Sequence, residues 1–197
     1  RGWRKSWRSR EILAFGGIPA GGAAVAGMWL LKEREWMRLA VAGTYSADRG
    51  GVWLSFWQDG GVSYLKDGKV EANYTPAQGL GAGHVAGLRL DAEGAVWAAT
   101  EGGGLSRIKD GRVTTLTVAN GLPCNTVHWS TLDDNGALWM YTACGLARVL
   151  RDDLAAWITD PNHRVVPKLW GGADGVPLLA QTPAYFNPPV AKGPDGK

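Results

Sequence analysis

Three tryptophans, at positions 53, 97 and 139, are 44 and then 42 residues apart, and each holds the same place in a recurring string. The strings are DRGGVWLSF from Asp48 to Phe56, DAEGAVWAAT from Asp91 to Thr100 and DDNGALWMYT from Asp133 to Thr142. A chain that repeats at such an interval folds as a row of like units, because one unit cannot cover its own apolar surface. Other landmarks keep the same phase. Gly60-Gly61, Gly103-Gly104 and Gly145 each open a short apolar run, Asp67-Gly68 and Asp110-Gly111 read as hairpin turns, and Gly79-Leu80-Gly81 recurs as Gly121-Leu122-Pro123.

Each unit holds four short strands. In the central unit they read as Val85–Leu90, Val96–Thr100, Leu105–Ile108 and Val113–Thr117. Four strands per repeat with glycine turns is the size of one propeller blade. The expected fold is therefore all-β, a partial β-propeller of four-stranded antiparallel blades, with about three to four blades present. The boundaries read as a partial blade at 25–40, blades at 41–78, 79–120 and 121–170, and the start of a further blade at 171–197. The 29 glycines and 11 tryptophans of the 197 residues suit such a fold. Trp53, Trp97 and Trp139 read as anchors packed between blades, and Asp48, Asp91 and Asp133 as acids that bond the amides of the turn before each tryptophan strand.

The first 40 residues stand apart. They carry eight Lys/Arg against three acids, whereas residues 41–197 carry 13 against 15, so the repeats have no basic footprint for nucleic acid. Ile12 to Leu31 is free of charge, and its length and flanks fit a membrane-spanning or signal segment. Five glycines and a proline interrupt it, and Gly27–Leu31 followed by Trp36–Leu39 reads better as two strands joined by a charged turn. Residues 1–24 share little with the repeats.

The string Gly-Leu-Pro, Asn-Thr-Val, Asp-x-x-Gly-x-Leu-Trp and Gly-Leu, from Gly121 to Leu146, resembles the two-component regulator propeller repeat, and a variant runs from Gly79 to Val113. The variant departs at Gly81, where the family has proline, and at His84 before the valine. The resemblance implies a piece of the periplasmic sensor region of a bacterial receptor of the sensor histidine kinase type, anchored in the inner membrane. Its parent would work as a homodimer and pass the signal to an output module outside these residues. The implied partners are an extracellular ligand, for example a carbohydrate, and the remaining blades of the ring; no cofactor is implied.

Candidate chemistry is sparse. His84, His128 and Asn125 fall near the starts of first strands, at the mouth of a propeller channel, and Trp57 and Trp129 have no tryptophan counterpart in other repeats, so each offers a flat face to a ligand or fills a seam. Cys124 and Cys144 fall on one edge of a blade, where a disulfide is geometrically allowed. The paired acids Asp133-Asp134 and Asp152-Asp153 read as turn acids, and no catalytic set or zinc spacing emerges. A propeller lyase of the streptogramin type, a propeller glycosidase and a plain protein-interaction propeller are the alternatives to the receptor reading.

Overall fold

A computed structural model of the chain describes residues 51–56, 60–67 and 69–179, and before them the backbone of four strands. Strands β1 (Ile12–Leu13), β2 (Met28–Lys32) and β3 (Glu35–Leu39) form a three-stranded sheet, in which β2 and β3 make the antiparallel pair read from the sequence. Both ends of the charge-free run thus lie in strands; the rest of it falls outside the described residues. Among the described residues no helix is long and apolar enough to cross a membrane.

Three four-stranded sheets come next, each a meander of antiparallel neighbours in chain order. The first contains β4 (Val41–Ser46), β5 (Val52–Phe56), β6 (Val62–Lys66) and β7 (Lys69–Tyr74). The second contains β8 (Val85–Leu90), β9 (Val96–Thr100), β10 (Gly104–Lys109) and β11 (Arg112–Leu116), within a residue of the strands read from sequence. The third contains β12 (Val127–Leu132), β13 (Leu138–Thr142), β14 (Gly145–Val149) and β15 (Lys168–Trp170). The first strands β4, β8 and β12 lie side by side, and each carries a bulge near its start. This is the arrangement of a partial β-propeller.

The turns before β9 and β13 are each built by one carboxylate. Asp91 accepts the Glu93 and Ala95 amides through Oδ1 (3.0 and 2.8 Å) and the Trp97 indole N–H through Oδ2 (2.8 Å). Asp133 does the same with Asn135, Ala137 and Trp139 (3.0, 2.9 and 3.0 Å). The carboxylate closes the turn and pins the indole across one face of the sheet. Asp48 lies outside the described residues.

Strand pleating then sorts each sheet into two faces. Val96, Ala98 and Ile108 form the aliphatic face of the second sheet and pack in one cluster with Trp53 and Tyr74 of the first. Trp97, Ala99, Leu105 and Leu116 form its indole face and pack with Leu138, Met140, Ala147 and Val149 of the third. Each seam thus sets the indole face of one sheet against the aliphatic face of the next, and the second sheet is covered on both sides.

After the fourth strand of each four-stranded sheet the chain makes a capped turn, seen among the described residues at Pro76–Gln78, Val118–Asn120 and Gly172–Asp174. In each, the third side chain bonds back to the amide of the capping residue, and a left-handed glycine comes after it. At Gly121 a Cβ would fall 2.1 Å from the Val165 carbonyl oxygen, so glycine is required by space as well as by its φ of 98°. The third copy is out of phase because residues 150–167 replace the Asp-Gly hairpin of the other two sheets.

That insertion holds α1 (Arg151–Thr159), the departure from an all-strand reading. Asp152 and Asp153 are therefore not turn acids but lie in the first turn of a helix, where the backbone dipole favours them. Trp157 is fully buried, its ring 6.3 Å from Trp97, and Val165 donates to the Asn120 carbonyl at 2.8 Å. Asp153 fastens the return loop by accepting His163 Nε2 and the Val166 amide, both at 2.6 Å. The insertion is a clamp across the second seam.

Burial acts to raise the Asp133 carboxyl, but hydrogen bonds from Trp139, Ala137 and Asn135 and the Arg148 guanidinium at 3.6 Å outweigh it and hold it below the usual aspartate value. A depressed folded value means the contribution is present above the unfolded value of about 3.9 and is lost as pH falls through the folded one. Asp133→Ala should cost about 2–3 kcal/mol in urea unfolding at pH 7, with the gap to wild type closing below about pH 4. Trp157→Ala should cost about 3–5 kcal/mol, and Trp157→Phe less, because the buried indole nitrogen has no partner among the described residues.

Candidate functional site

The starts of the first strands gather some of the expected residues and separate others. The bulge between Val127 and Trp129 holds His128 in the interior, 2% exposed. Its Nε2 donates to the Leu179 carbonyl at 2.8 Å, which fixes the tautomer, and Nδ1 stands 4.0 Å from a Glu101 carboxylate oxygen. The Tyr141 ring lies 5.5 Å from His128 and 6.0 Å from Trp129, and its hydroxyl donates to the Pro177 carbonyl. His128 and Trp129 are thus joined through Tyr141. Asn125 is elsewhere employed, accepting the Val118 amide at 2.9 Å within the turn between sheets. His84 is exposed, and its carbonyl accepts the Glu101 amide. Trp57 lies outside the described residues.

Glu101 and Tyr141 are not legible in the sequence as members of this cluster, because neither recurs: Ala99 stands where the third sheet has Tyr141. Among the described residues no group of three His, Cys, Asp or Glu could hold a metal.

Cys124 and Cys144 are free thiols at the same end of the third sheet. The Thr126 carbonyl accepts the Ala143 amide at 3.1 Å and the Cys124 thiol at 4.0 Å, which brings Cys124 close to the residue before Cys144. Burial, followed by the Cys124 thiol beside it, pushes the Cys144 thiol up to about 11.

At the opposite end of the strands, a cleft of about 620 Å³ opens between the second and third sheets. Its walls are the Asp91 and Asp133 turns, and α1 closes one side through Arg151, Leu154 and Ile158. Leu132, Leu138 and Leu154 give it an apolar lining, and Arg89, Arg151, Glu93 and Asp134 a polar one. Arg89 reaches across the seam to the Ser130 carbonyl at 3.4 Å. The Arg151 stem lies over Gly136, where a Cβ would come within 3.1 Å of it. Asp91 and Asp133 are held by their turns, and Glu93 lies 3.5 Å from Arg107. Size and lining suit a small ligand with an apolar body and polar edges.

The fold is shared with solved structures. The extracellular domain of a hybrid two-component system from B. thetaiotaomicron matches at 22% identity and a TM-score of 0.50, over 66% of this chain and 20% of that one. The extracellular domain of a one-component system from the same organism matches at 18% and 0.52, over 76% and 22%. Virginiamycin B lyase from Staphylococcus aureus matches at 14% and 0.51, over 95% and 66%. The chain spans about a fifth of the length of the two extracellular domains, and the likeness is one of fold. No protein-family model and no curated protein sequence matches it.

The elevated Cys144 thiol should make it slow toward iodoacetamide at pH 8 under reducing conditions, with a rate that climbs up to about pH 11. Mass spectrometry of alkylated peptides reads this directly, and Cys124→Ser should shift the Cys144 profile to lower pH.

Proposed function

We propose that this chain is the ligand-sensing propeller portion of a bacterial two-component receptor, itself non-catalytic and placed in the periplasm, with its output module elsewhere in the parent protein. The repeat motif from Gly121 to Leu146 and the fold shared with two extracellular sensor-system domains support this reading. The observation that carries it is the cleft under α1: the third repeat replaces a two-residue hairpin by a helix that closes one side of a seam and makes a binding volume there.

A ligand seated between Arg89 and Arg151 touches two blades and the clamp that joins them. Its binding energy bears directly on how the second and third sheets sit together, which is what a sensor needs in order to report occupancy. Oligosaccharides, with apolar ring faces and polar rims, fit the lining. The lyase alternative is less favoured, since the buried His128 has Nε2 committed to a backbone carbonyl.

Calorimetric titration against a panel of neutral and acidic oligosaccharides tests the reading. A binder is expected whose affinity falls about tenfold in Arg89→Ala and in Arg151→Ala, the loss of a charged hydrogen bond in each. Binding indifferent to both substitutions would remove the cleft from the proposal. A parent reading frame without a transmembrane helix and an output module would remove the receptor.

A further inference from the structure

Both cysteines of the chain fall in the third repeat, and their side chains meet there. In the second repeat the counterparts of Cys124 and Cys144 are Ala82 and the Gly102-Gly103 pair. Those two segments touch backbone to backbone: a Cβ on Gly103 would fall 2.2 Å from the Ala82 nitrogen. The third repeat opens the same place to admit two sulfurs, with the Cys124 thiol as hydrogen-bond partner of the Cys144 thiol. Each thiol rides on backbone that other bonds hold. The Thr142 hydroxyl accepts the Cys144 amide at 3.2 Å and donates to the Gly145 carbonyl at 2.9 Å, which sets the turn between β13 and β14. On the other side, Asn125 accepts the Val118 amide through its side chain at 2.9 Å and the Gly104 amide through its carbonyl at 2.7 Å. Thr126 forms a bridge with Glu101 of the second sheet. Residues 124–126 are therefore fastened to the second sheet by backbone bonds, and Cys124 reaches from them to the third.

We propose that Cys124 and Cys144 form a dithiol site that closes to a disulfide by exchange with a small disulfide, and that the bond staples the second seam at the end opposite the cleft. The Cys124 thiolate attacks one sulfur of the small disulfide and expels a thiolate. The Cys144 sulfur, on losing its proton, attacks the mixed disulfide at Cys124 and expels the second. The protein gives up two protons and two electrons, and one small disulfide becomes two small thiols. Cys144 is pushed up to about 11 by burial and then by the Cys124 thiol, which makes it slow at neutral pH and gives the first attack to Cys124. Because both turns are already fixed, closure needs neither of them to unfold. The proposal does not depend on a ligand in the cleft under α1.

Equilibrating the intact chain with oxidised glutathione, quenching in acid and alkylating the remaining thiols tests this by mass spectrometry. The expected product has lost two hydrogens, takes up no alkyl group and yields one linked peptide pair containing Cys124 and Cys144. Cys144→Ser should instead accumulate a glutathione adduct on Cys124, because the resolving thiol is gone. The closed wild-type chain should melt about 8 °C higher than the same chain kept reduced, a comparison that needs no variant to fold. Amides of residues 101–104, across the seam from the bond, should exchange more slowly once it forms. Two free thiols after equilibration, glutathione adducts on both wild-type cysteines, or disulfide-linked pairs of chains on a non-reducing gel would each overturn the site. Equal melting temperatures, or exchange at residues 101–104 indifferent to closure, would overturn the staple. Calorimetry on the reduced chain reads ligand binding in the cleft separately, so the two proposals fail independently.

Discussion

A carboxylate that closes a turn and holds an indole at the same time is the contact on which the stacking of these sheets depends. Asp91 and Asp133 each accept two amides and one indole N–H. The turn cannot open without releasing the tryptophan, and the tryptophan cannot leave its face without unpairing a carboxylate that has few other donors. The opposite face is aliphatic, and each seam packs the indole face of one sheet on the aliphatic face of the next. A four-stranded sheet with two apolar faces gains its stability from neighbours on both sides, which is why the row of repeats rather than the single sheet is the stable unit.

On the proposed reading, the ligand seat lies where the repeat is broken. Residues 150–167 use a helix where the other sheets use an Asp-Gly turn, and that helix inserts Trp157 into the second seam while its exposed side borders the cleft. The same element therefore holds two blades together and lines the volume between them. A binding event there and the geometry of the seam are linked through common residues, Leu154 above all, without any longer path of coupling.

The regular part of the fold is plain in the sequence. Tryptophan spacing, glycine turns and alternating strands place β8 to β11 within a residue of their positions. The parts that stay hidden do so for physical causes. The insertion has no periodic landmark, and Asp152-Asp153 suits a turn as well as a helix start, so nothing in the pattern marks α1. The third capped turn, at Gly171 to Val176, is displaced by that insertion and reads as an isolated Asp-Gly-Val. His128 looks like a channel residue because its strand begins at the channel, but the bulge beside it turns the ring inward. Asn125 looks available because a polar residue there has no strand partner, yet the amide of Val118 claims it.

Hydrogen exchange followed by mass spectrometry on the intact chain tests the dependence of each sheet on its neighbours most directly. If coverage of both faces sets stability, the amides of β9 and β10 exchange slowest, and those of β13 and β14 exchange measurably faster despite strand lengths within one residue of each other. Equal protection of the second and third sheets, or the reverse order, would contradict the stacking of indole faces on aliphatic faces as the source of the fold's stability.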